Sequence, residues 1–503
     1  MTVQPISLKD WGAIEAFPGL SVRYLKENRC LPLKREDGRI LIAMAHPDDP
    51  GIQSALETAL GARVSPVPAL EEEILEFIES IYQPGSRMAR LVGDLDAEEV
   101  EAVAEESLEI GHLRDMAKEA PIIQLVNLLV LRAIELGASD IHLEPFENDF
   151  RVRYRKDGIL YEAESPPKAL QPAVLSRLKI MSRLDIAERR LPQDGRFRLK
   201  VRGNDIDFRV STLPTLLGES MVIRILDREK VILDLTRLGF PPHELKQFDQ
   251  LIHKPYGMML VTGPTGSGKT TTLYAALSVI NSPEKKIITI EDPVEYRLTG
   301  VTQMQVKPGI GLTFARGLRH IVRQDPDVVL VGEIRDRETA EIAVHAALTG
   351  HLVFSTLHTN DAAGAITRLL EMGIEDYLLA SAVAGVLAQR LVRLICPECK
   401  VAMGPEAGGE HQQNGIPGHL LGRTFMGKGC PACAMTGYRG RTGIYELMLV
   451  EDAVRQLILQ RADAAALRQA AIAQGMQTLA KDGWAKVAQG RTTTQEVLRV
   501  TQE

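Results

Sequence analysis

One eight-residue segment limits this chain more than any other. Gly263-Pro264-Thr265-Gly266-Ser267-Gly268-Lys269-Thr270 follows an apolar run, Met258–Val261, and precedes a helix-forming run, Thr271–Ile280. It fits G-x-x-x-x-G-K-[ST] in the strand–loop–helix setting that the pattern's mechanism needs. Glycines let the backbone wrap so that its N–H groups converge on phosphate oxygens. The helix N-terminus adds partial positive charge. Lys269 is placed to reach β- and γ-phosphates, and Thr270 to hold Mg²⁺. Without an anionic ligand, a lysine at a positively polarised helix end gains nothing.

The flanking sequence alternates strand and helix patterns: Gly257–Thr262, Thr270–Ile280, Lys286–Ile290, Leu312–Val322, Val328–Val331. That order predicts βαβ units and a mostly parallel sheet within residues 237–394. Ligands bind at the carboxyl ends of such strands, and acids stand there. Glu333 ends Asp327–Gly332 and is suited to hold the Mg²⁺ water shell or polarise water. Ile287–Ile290 runs into Glu291-Asp292-Pro293-Val294-Glu295. Crowded carboxylates there need a cation or arginines. Either Glu291 or Glu295 could be the base that activates water, and the sequence does not choose between them.

Four of the five cysteines form two C-x-x-C pairs, Cys396/Cys399 and Cys430/Cys433. Each pair offers two thiolates to one side of a tetrahedron, which suits structural Zn²⁺ in a tetracysteine element over 395–436. A Gly-, Pro- and Gln-rich excursion, Gly404–Gly418, lies between them. Residues 437–503 read as a helical region, with a capping box from Thr493 to Glu496 before a last short helix. The fifth cysteine, Cys30, falls in a strand-like run and reads as a buried thiol.

Residues 1–82 read as a small α/β unit. Its strands are Cys30–Lys34, Arg39–Ala45 and Arg63–Val67, and its helices Ile52–Leu60 and Leu70–Tyr82. Leu70, Ile74, Ile78 and Ile81 share one helix face. Residues 83–111 read as an acidic linker, because eight acids from Asp94 to Glu109 meet no Lys or Arg between Leu91 and Gly111. Like-charge runs of this kind stay solvated and extended. They account for the whole formal net charge of −7. Residues 112–236 read as an α+β unit that is locally basic. From Arg151 to Arg228 there are 13 Arg and 4 Lys against 10 acids, and Arg suits bidentate phosphate recognition. No secretory leader is expected, since Met1–Gly19 lacks a cationic start and an apolar core. The longest uncharged run, Ile342–Asn360, carries three histidines and does not suit a lipid span. Aromatics make up 5% of the chain and form no interleaved stacking set, so no nucleic-acid partner is expected.

From about Ala120 onward the chain resembles the secretion-ATPase superfamily, which includes type II secretion, type IV pilus assembly and retraction, and conjugation ATPases. The segments that carry the resemblance are Gly137–Pro145, Arg189–Arg196, Arg209–Thr212, Ile288–Tyr296, Thr349–Asn360 and Gln389–Leu391, with the phosphate loop. The resemblance implies an α/β multidomain protein. A P-loop (RecA-like) ATPase core would follow an α+β domain and a small N-terminal α/β domain, with a C-terminal zinc element. It implies a homo-hexamer using ATP, Mg²⁺ and Zn²⁺. Arg209, Arg224, Arg319, Arg323 and Arg335 become candidates for neutralising nucleotide phosphates, and His351 and His358 for γ-phosphate sensing or coupling. The tetracysteine element points away from the retraction ATPases, and the length and single small N-terminal unit toward a secretion ATPase that drives pseudopilus assembly. Residues 1–82 would then bind the cytoplasmic domain of the inner-membrane general secretion pathway protein L. The platform protein, general secretion pathway protein F, would be a further partner. The expected location is cytoplasmic, held peripherally at the inner membrane. A pilus assembly ATPase is the alternative.

Overall fold

The structure, a computed structural model, describes residue 8 and residues 22–36, 39–60, 62–82, 120–201, 204–227, 233–403 and 424–502. The acidic linker over 83–111 and the excursion Gly404–Gly418 therefore lie outside the described residues. The chain divides into two compact units near Leu226.

In the N-terminal part, helix α1 (Val22–Glu27) precedes β1 (Cys30–Glu36) and β2 (Arg39–Met44). Then come α2 (Pro50–Leu60), β3 (Arg63–Pro68) and α3 (Glu71–Tyr82). β1 and β2 are antiparallel, while β2 and β3 are parallel with α2 as the crossover. The core holds Leu25, Cys30, Ile42, Leu56, Ile74 and Ile78. Burial pushes the Cys30 thiol up to about 12, as expected for a thiol kept protonated among apolar neighbours. Leu70 does not share the buried face of Ile74 and Ile78. It precedes the first helical residue and is 53% exposed.

Residues 120–227 begin with α4 (Ala120–Glu135), β4 (Asp140–Pro145), β5 (Phe150–Lys156) and β6 (Ile159–Glu162). They continue through α5 (Gln171–Ser182), β7 (Gln193–Val201), β8 (Asn204–Thr215) and β9 (Gly218–Asp227). The sheet order is β6-β5-β4-β9-β8-β7. β4, which composition hides behind Asp140, His142 and Glu144, is central. It pairs antiparallel with both β5 and β9, while Ile141 and Leu143 are buried.

The remaining chain builds α6 (Pro242–Ile252), β10 (Gly257–Thr262), α7 (Lys269–Ile280), β11 (Ile287–Glu291) and β12 (Val301–Gln305). Next are α8 (Phe314–Ile321), β13 (Val328–Val331), α9 (Arg337–Leu348), β14 (Leu352–Leu357), α10 (Ala362–Glu371), α11 (Asp376–Ala382) and β15 (Val383–Ile395). After them come β16 (Lys400–Ala402), β17 (Phe425–Gly427), β18 (Tyr438–Leu449) and helices α12 (Asp452–Leu459), α13 (Ala464–Ala473), α14 (Leu479–Ala488) and α15 (Thr494–Thr501). The main sheet runs β12-β11-β13-β14-β10-β15-β18. All neighbours are parallel except β15 and β18. Strands buried on both faces read as unbroken apolar runs. Accordingly Met258 and Leu260 enter one core cluster, with Val329, Val331 and Val353, while Met259 and Val261 enter the other, with Val328, Leu330 and Phe354.

The expected helical region over 437–503 needs correction at its start, where β18 is a twelve-residue strand. Alternation explains it: Ile444 and Met448 enter one core cluster, and Tyr445 and Leu447 the other. The chain thus leaves the sheet at Ile395, makes the cysteine element, and returns at Tyr438 opposite Ile395. The capping box is only half formed. Thr493 accepts from the Glu496 N–H at 3.3 Å. The Glu496 carboxylate instead takes the Arg393 N–H and guanidinium at 2.9 and 2.8 Å and Arg499 at 2.8 Å. A carboxylate bonds cationic guanidinium groups more strongly than one neutral amide.

Candidate functional site

The phosphate loop leaves the carboxyl end of buried β10 and enters α7. Two close approaches require glycine. A Cβ on Gly263 would stand 2.5 Å from the Gln389 carbonyl oxygen and 2.7 Å from Ser267 Oγ, and one on Gly268 2.8 Å from Gln389 Nε2. Ser267 Oγ is buried with no hydrogen-bond partner among the described residues, an orphan that an incoming anion's oxygen would satisfy. Lys269 Nζ donates to the Gly263 and Pro264 carbonyls at 2.7 and 3.1 Å. Burial pushes its pKa down to about 8, while Glu333 pulls it up and Arg390 adds to the lowering. Thr270 is exposed, as are Pro264, Thr265 and Gly266.

β15 braces this loop through residues the chemical motifs alone do not pick out. Gln389 Oε1 accepts from Thr272 at 2.7 Å, and its Nε2 donates to the Ser267 carbonyl at 2.9 Å. Arg390, also buried, donates to the Asn360 carbonyl at 2.7 Å. A Gln-Arg pair inside an otherwise apolar strand is the signal that marks them.

The three acids end in different surroundings. Glu333 follows β13, and its side chain is 13% exposed. Arg335 Nη2 lies 2.5 Å from one carboxylate oxygen and His358 Nε2 3.4 Å from the other. Glu291, the last residue of β11, is buried and bonded by Tyr274, Thr289 and Gln303. Burial pushes its pKa up, opposed by those hydrogen bonds. Glu295 is half-buried in the following loop.

His358, beyond the carboxyl end of β14, joins Glu333, while His351 stands before β14 at the opposite, amino end. There its Nδ1 lies 2.9 Å from the Ala346 carbonyl. Arg335 holds Glu333, and Arg319 pairs with Glu338. Arg323 is exposed after α8. In the other unit, Arg224 bonds Asp140 at 2.9 Å, and Arg209 is half-buried on β8.

The four cysteines of the two pairs converge. Their sulfurs all lie within 4.8 Å of one another. Separations of 3.8 Å (Cys396–Cys430), 3.9 Å (Cys399–Cys433) and 3.7 Å (Cys430–Cys433) recur. Bonds of about 2.3 Å from Zn²⁺ to four tetrahedral sulfurs require edges of roughly 3.8 Å. The Cys430 and Gly437 N–H groups both lie 3.2 Å from Cys433 Sγ, an arrangement that favours thiolate. The donor set therefore fits zinc. Among the described residues, no helix is long and apolar enough to cross a membrane.

The chain matches the family described as Type II/IV secretion system protein over residues 115–499, and the MshEN domain over residues 5–88. Type II secretion system protein E of Xanthomonas campestris pv. campestris is 50% identical over 489 residues, covering 96% of this chain and 85% of that protein. Type IV pilus assembly ATPase PilB of Myxococcus xanthus is 46% identical over 504 residues, covering 99% of this chain and 88% of that protein. The crystal structure of the pilus retraction motor PilT and bound ADP aligns with a TM-score of 0.51 at 28% identity, covering 75% of this chain and 97% of that one.

Proposed function

Because the chain belongs to the type II/IV secretion system protein family, we propose that it is a cytoplasmic hexameric ATPase driving pseudopilus assembly and protein export across the outer membrane by the type II secretion system. It is an ATP-hydrolysing enzyme, as its family, the ATPase names of relatives and its P-loop site agree. The observation that carries the reading is the convergence of Lys269, Glu333 and His358 at the carboxyl ends of β10, β13 and β14.

Within that reading, Gly263–Thr270 hold the nucleotide phosphates, and Thr270 and Glu333 serve Mg²⁺. Bound Mg²⁺ neutralises developing phosphate charge. Glu333 or Glu295 orients water. The pairs that occupy Arg335, Arg319 and Arg224 all have more than half of the arginine side chain exposed. Only the Arg319–Glu338 pair is exposed on both sides, and such pairs are worth only about 0–1 kcal/mol, so Arg319 can exchange its carboxylate for a phosphate at small cost. Arg209 and Arg323 complete the candidate set. His351 serves coupling away from Lys269, and His358 serves phosphate sensing beside Glu333. Cys396, Cys399, Cys430 and Cys433 hold Zn²⁺, which ties the chain leaving β15 to the chain entering β18. Residues 1–82 bind general secretion pathway protein L, and the ring meets general secretion pathway protein F at the inner membrane.

The test is phosphate release by the full chain as a verified hexamer with Mg²⁺ and ATP. Turnover that disappears in Lys269→Ala supports the reading, and a hexamer without turnover overturns it. The similarity to PilB, which spans nearly all of this chain, favours a type IV pilus assembly ATPase as the second reading. Pull-down of candidate membrane partners by the full chain, with a version lacking residues 1–82 as control, separates the two.

A further inference from the structure

Glu291 ends β11, yet nothing about its surroundings suits a base that must reach water. It is 3% exposed. One carboxylate oxygen accepts from the Tyr274 hydroxyl. The other accepts from Thr289 Oγ1 at 2.5 Å and from Gln303 Nε2 at 3.2 Å. A carboxylate with both oxygens committed to buried donors has little capacity left for a water molecule.

The donors come from elements that must stay in register for hydrolysis. Tyr274 lies on α7, the helix that begins at Lys269, and is fully buried. Gln303 lies on edge strand β12. Its Nε2 also donates to the Tyr296 carbonyl at 2.9 Å, and its Oε1 accepts from the Leu298 N–H at 2.8 Å. The main-chain N–H groups of Glu295 and Tyr296 bear on the Tyr274 hydroxyl. The Tyr274 and Tyr296 rings meet edge-on at 5.9 Å. On the other side, a Cβ on Gly332, the neighbour of Glu333, would stand 3.3 Å from the Glu291 Cα. Glu291 is thus joined to the phosphate-binding helix, to the acidic loop 292–298, and to the strand end that presents Glu333.

We propose that Glu291 is a positioning residue. With Tyr274 and Gln303 it locks the acidic loop, and so Glu295, to the helix carrying Lys269. This rests on the ATPase reading above, because what it positions is the hydrolytic site. A buried polar network whose members are all satisfied fixes one geometry and resists piecemeal change.

The experiment uses the full chain with Tyr274→Phe, Glu291→Gln and the double variant. Tyr274→Phe keeps the ring and removes no carboxylate. It should still lower kcat about as much as Glu291→Gln, roughly tenfold each from misplacement. The double should fall no further, because both lesions break one network. KM for ATP should stay within about twofold, since misplacement acts on the transition state rather than on ground-state binding. The acid limb of the pH–rate profile should survive in Glu291→Gln. Hydrogen exchange at the Glu295 and Tyr296 amides should speed up in both single variants while sheet amides of β13 and β14 hold. A Glu291→Gln loss of about 10²–10⁴ with an innocuous Tyr274→Phe would make Glu291 the base and overturn the proposal. Unchanged exchange at 295–296 would overturn it as well. If the unaltered hexamer hydrolyses no ATP, the ATPase reading fails on its own terms, and the exchange data still decide whether the network holds the loop.

Discussion

Two regions of the molecule place carboxylates in poorly hydrated surroundings, and they use them differently. At the phosphate end, Glu333 is held by Arg335 and His358, whose own side chains are 67% and 47% exposed. In the C-terminal segment each carboxylate has at least one buried partner, although Arg499 is itself 43% exposed. Glu446 accepts from the Ala362 and Leu479 N–H groups at 3.0 and 3.4 Å, at the starts of α10 and α14. Asp482 holds Lys486 at 2.5 Å and the Tyr445 N–H at 2.8 Å. Glu496 ties β15 to α15 through Arg393 and Arg499. A carboxylate whose partners can leave is available for chemistry. One with a partner buried beside it is a strut, and removing it strands a donor or a charge.

The largest expected effect tests the first half of that contrast. Glu333→Gln keeps the shape but removes the charge and one of the two acceptor oxygens that face Arg335 and His358, so turnover should fall by about 10²–10⁴. The urea midpoint should hardly move, since substitution away from a buried network shifts stability by only about 0.5 kcal/mol. Phosphate release and the fluorescence of Trp484, which packs against Val487 and Val497 in the C-terminal segment, report the two quantities. Equal loss of both would erase the distinction. Glu496→Ala should show the reverse. It leaves the Arg393 guanidinium, only 12% exposed, without its counter-charge, at a cost of about 3–5 kcal/mol. Turnover per folded molecule should be retained. Glu446→Gln comes next at about 1–2 kcal/mol, because one amide oxygen must serve two helix-start N–H groups. An unchanged Trp484 midpoint in Glu496→Ala would show that the strut carries no load.

The same contrast explains what was legible in advance. The phosphate loop is a local motif, so its strand, turn and helix follow from neighbours in sequence, and β10 and β13 match the expected ranges residue for residue. The cysteine spacing likewise foretold a cluster. The Asp482–Lys486 pair is local at i,i+4, but other strut contacts are long-range. Glu496 and Arg393 are 103 residues apart, and Glu446 and Ala362 are 84 apart, so no local pattern announces them. β18 was hidden for a related reason: its partner strand lies before the cysteine excursion, and Arg439, Arg441 and Glu446 mask its apolar alternation. Among the three acids, strand-end position was readable but the donors around each were not. Tyr274 and Gln303 reach Glu291 from other elements. His351 and His358 fall within one motif, yet β14 separates them by its full length.

The smallest expected effect is one of slope, and it divides the struts themselves. Burial alone would raise the Glu496 pKa, but hydrogen bonds from Arg499 and Arg393 outweigh it and hold the group at about 2. An unfolded glutamate titrates near about 4.3. Between those values the unfolded chain binds more protons than the folded one. Stability contributed by Glu496 is therefore complete above the window and is lost as pH falls through it. Glu446 is opposite in sign. Burial raises its pKa, with the Ala362 N–H opposing, so the folded state holds the extra proton and stability declines as pH rises past about 4.3. Urea midpoints read on Trp484 from acid to neutral pH should then separate the variants. Glu496→Gln should flatten the loss below about 4.3, while Glu446→Gln should remove a decline above it, each by at most about 1.4 kcal/mol per pH unit for one proton. Parallel curves for the two variants would mean that the bonded donors, and not the carboxylate charges, do the holding. The C-terminal segment would then differ from the phosphate end only in exposure.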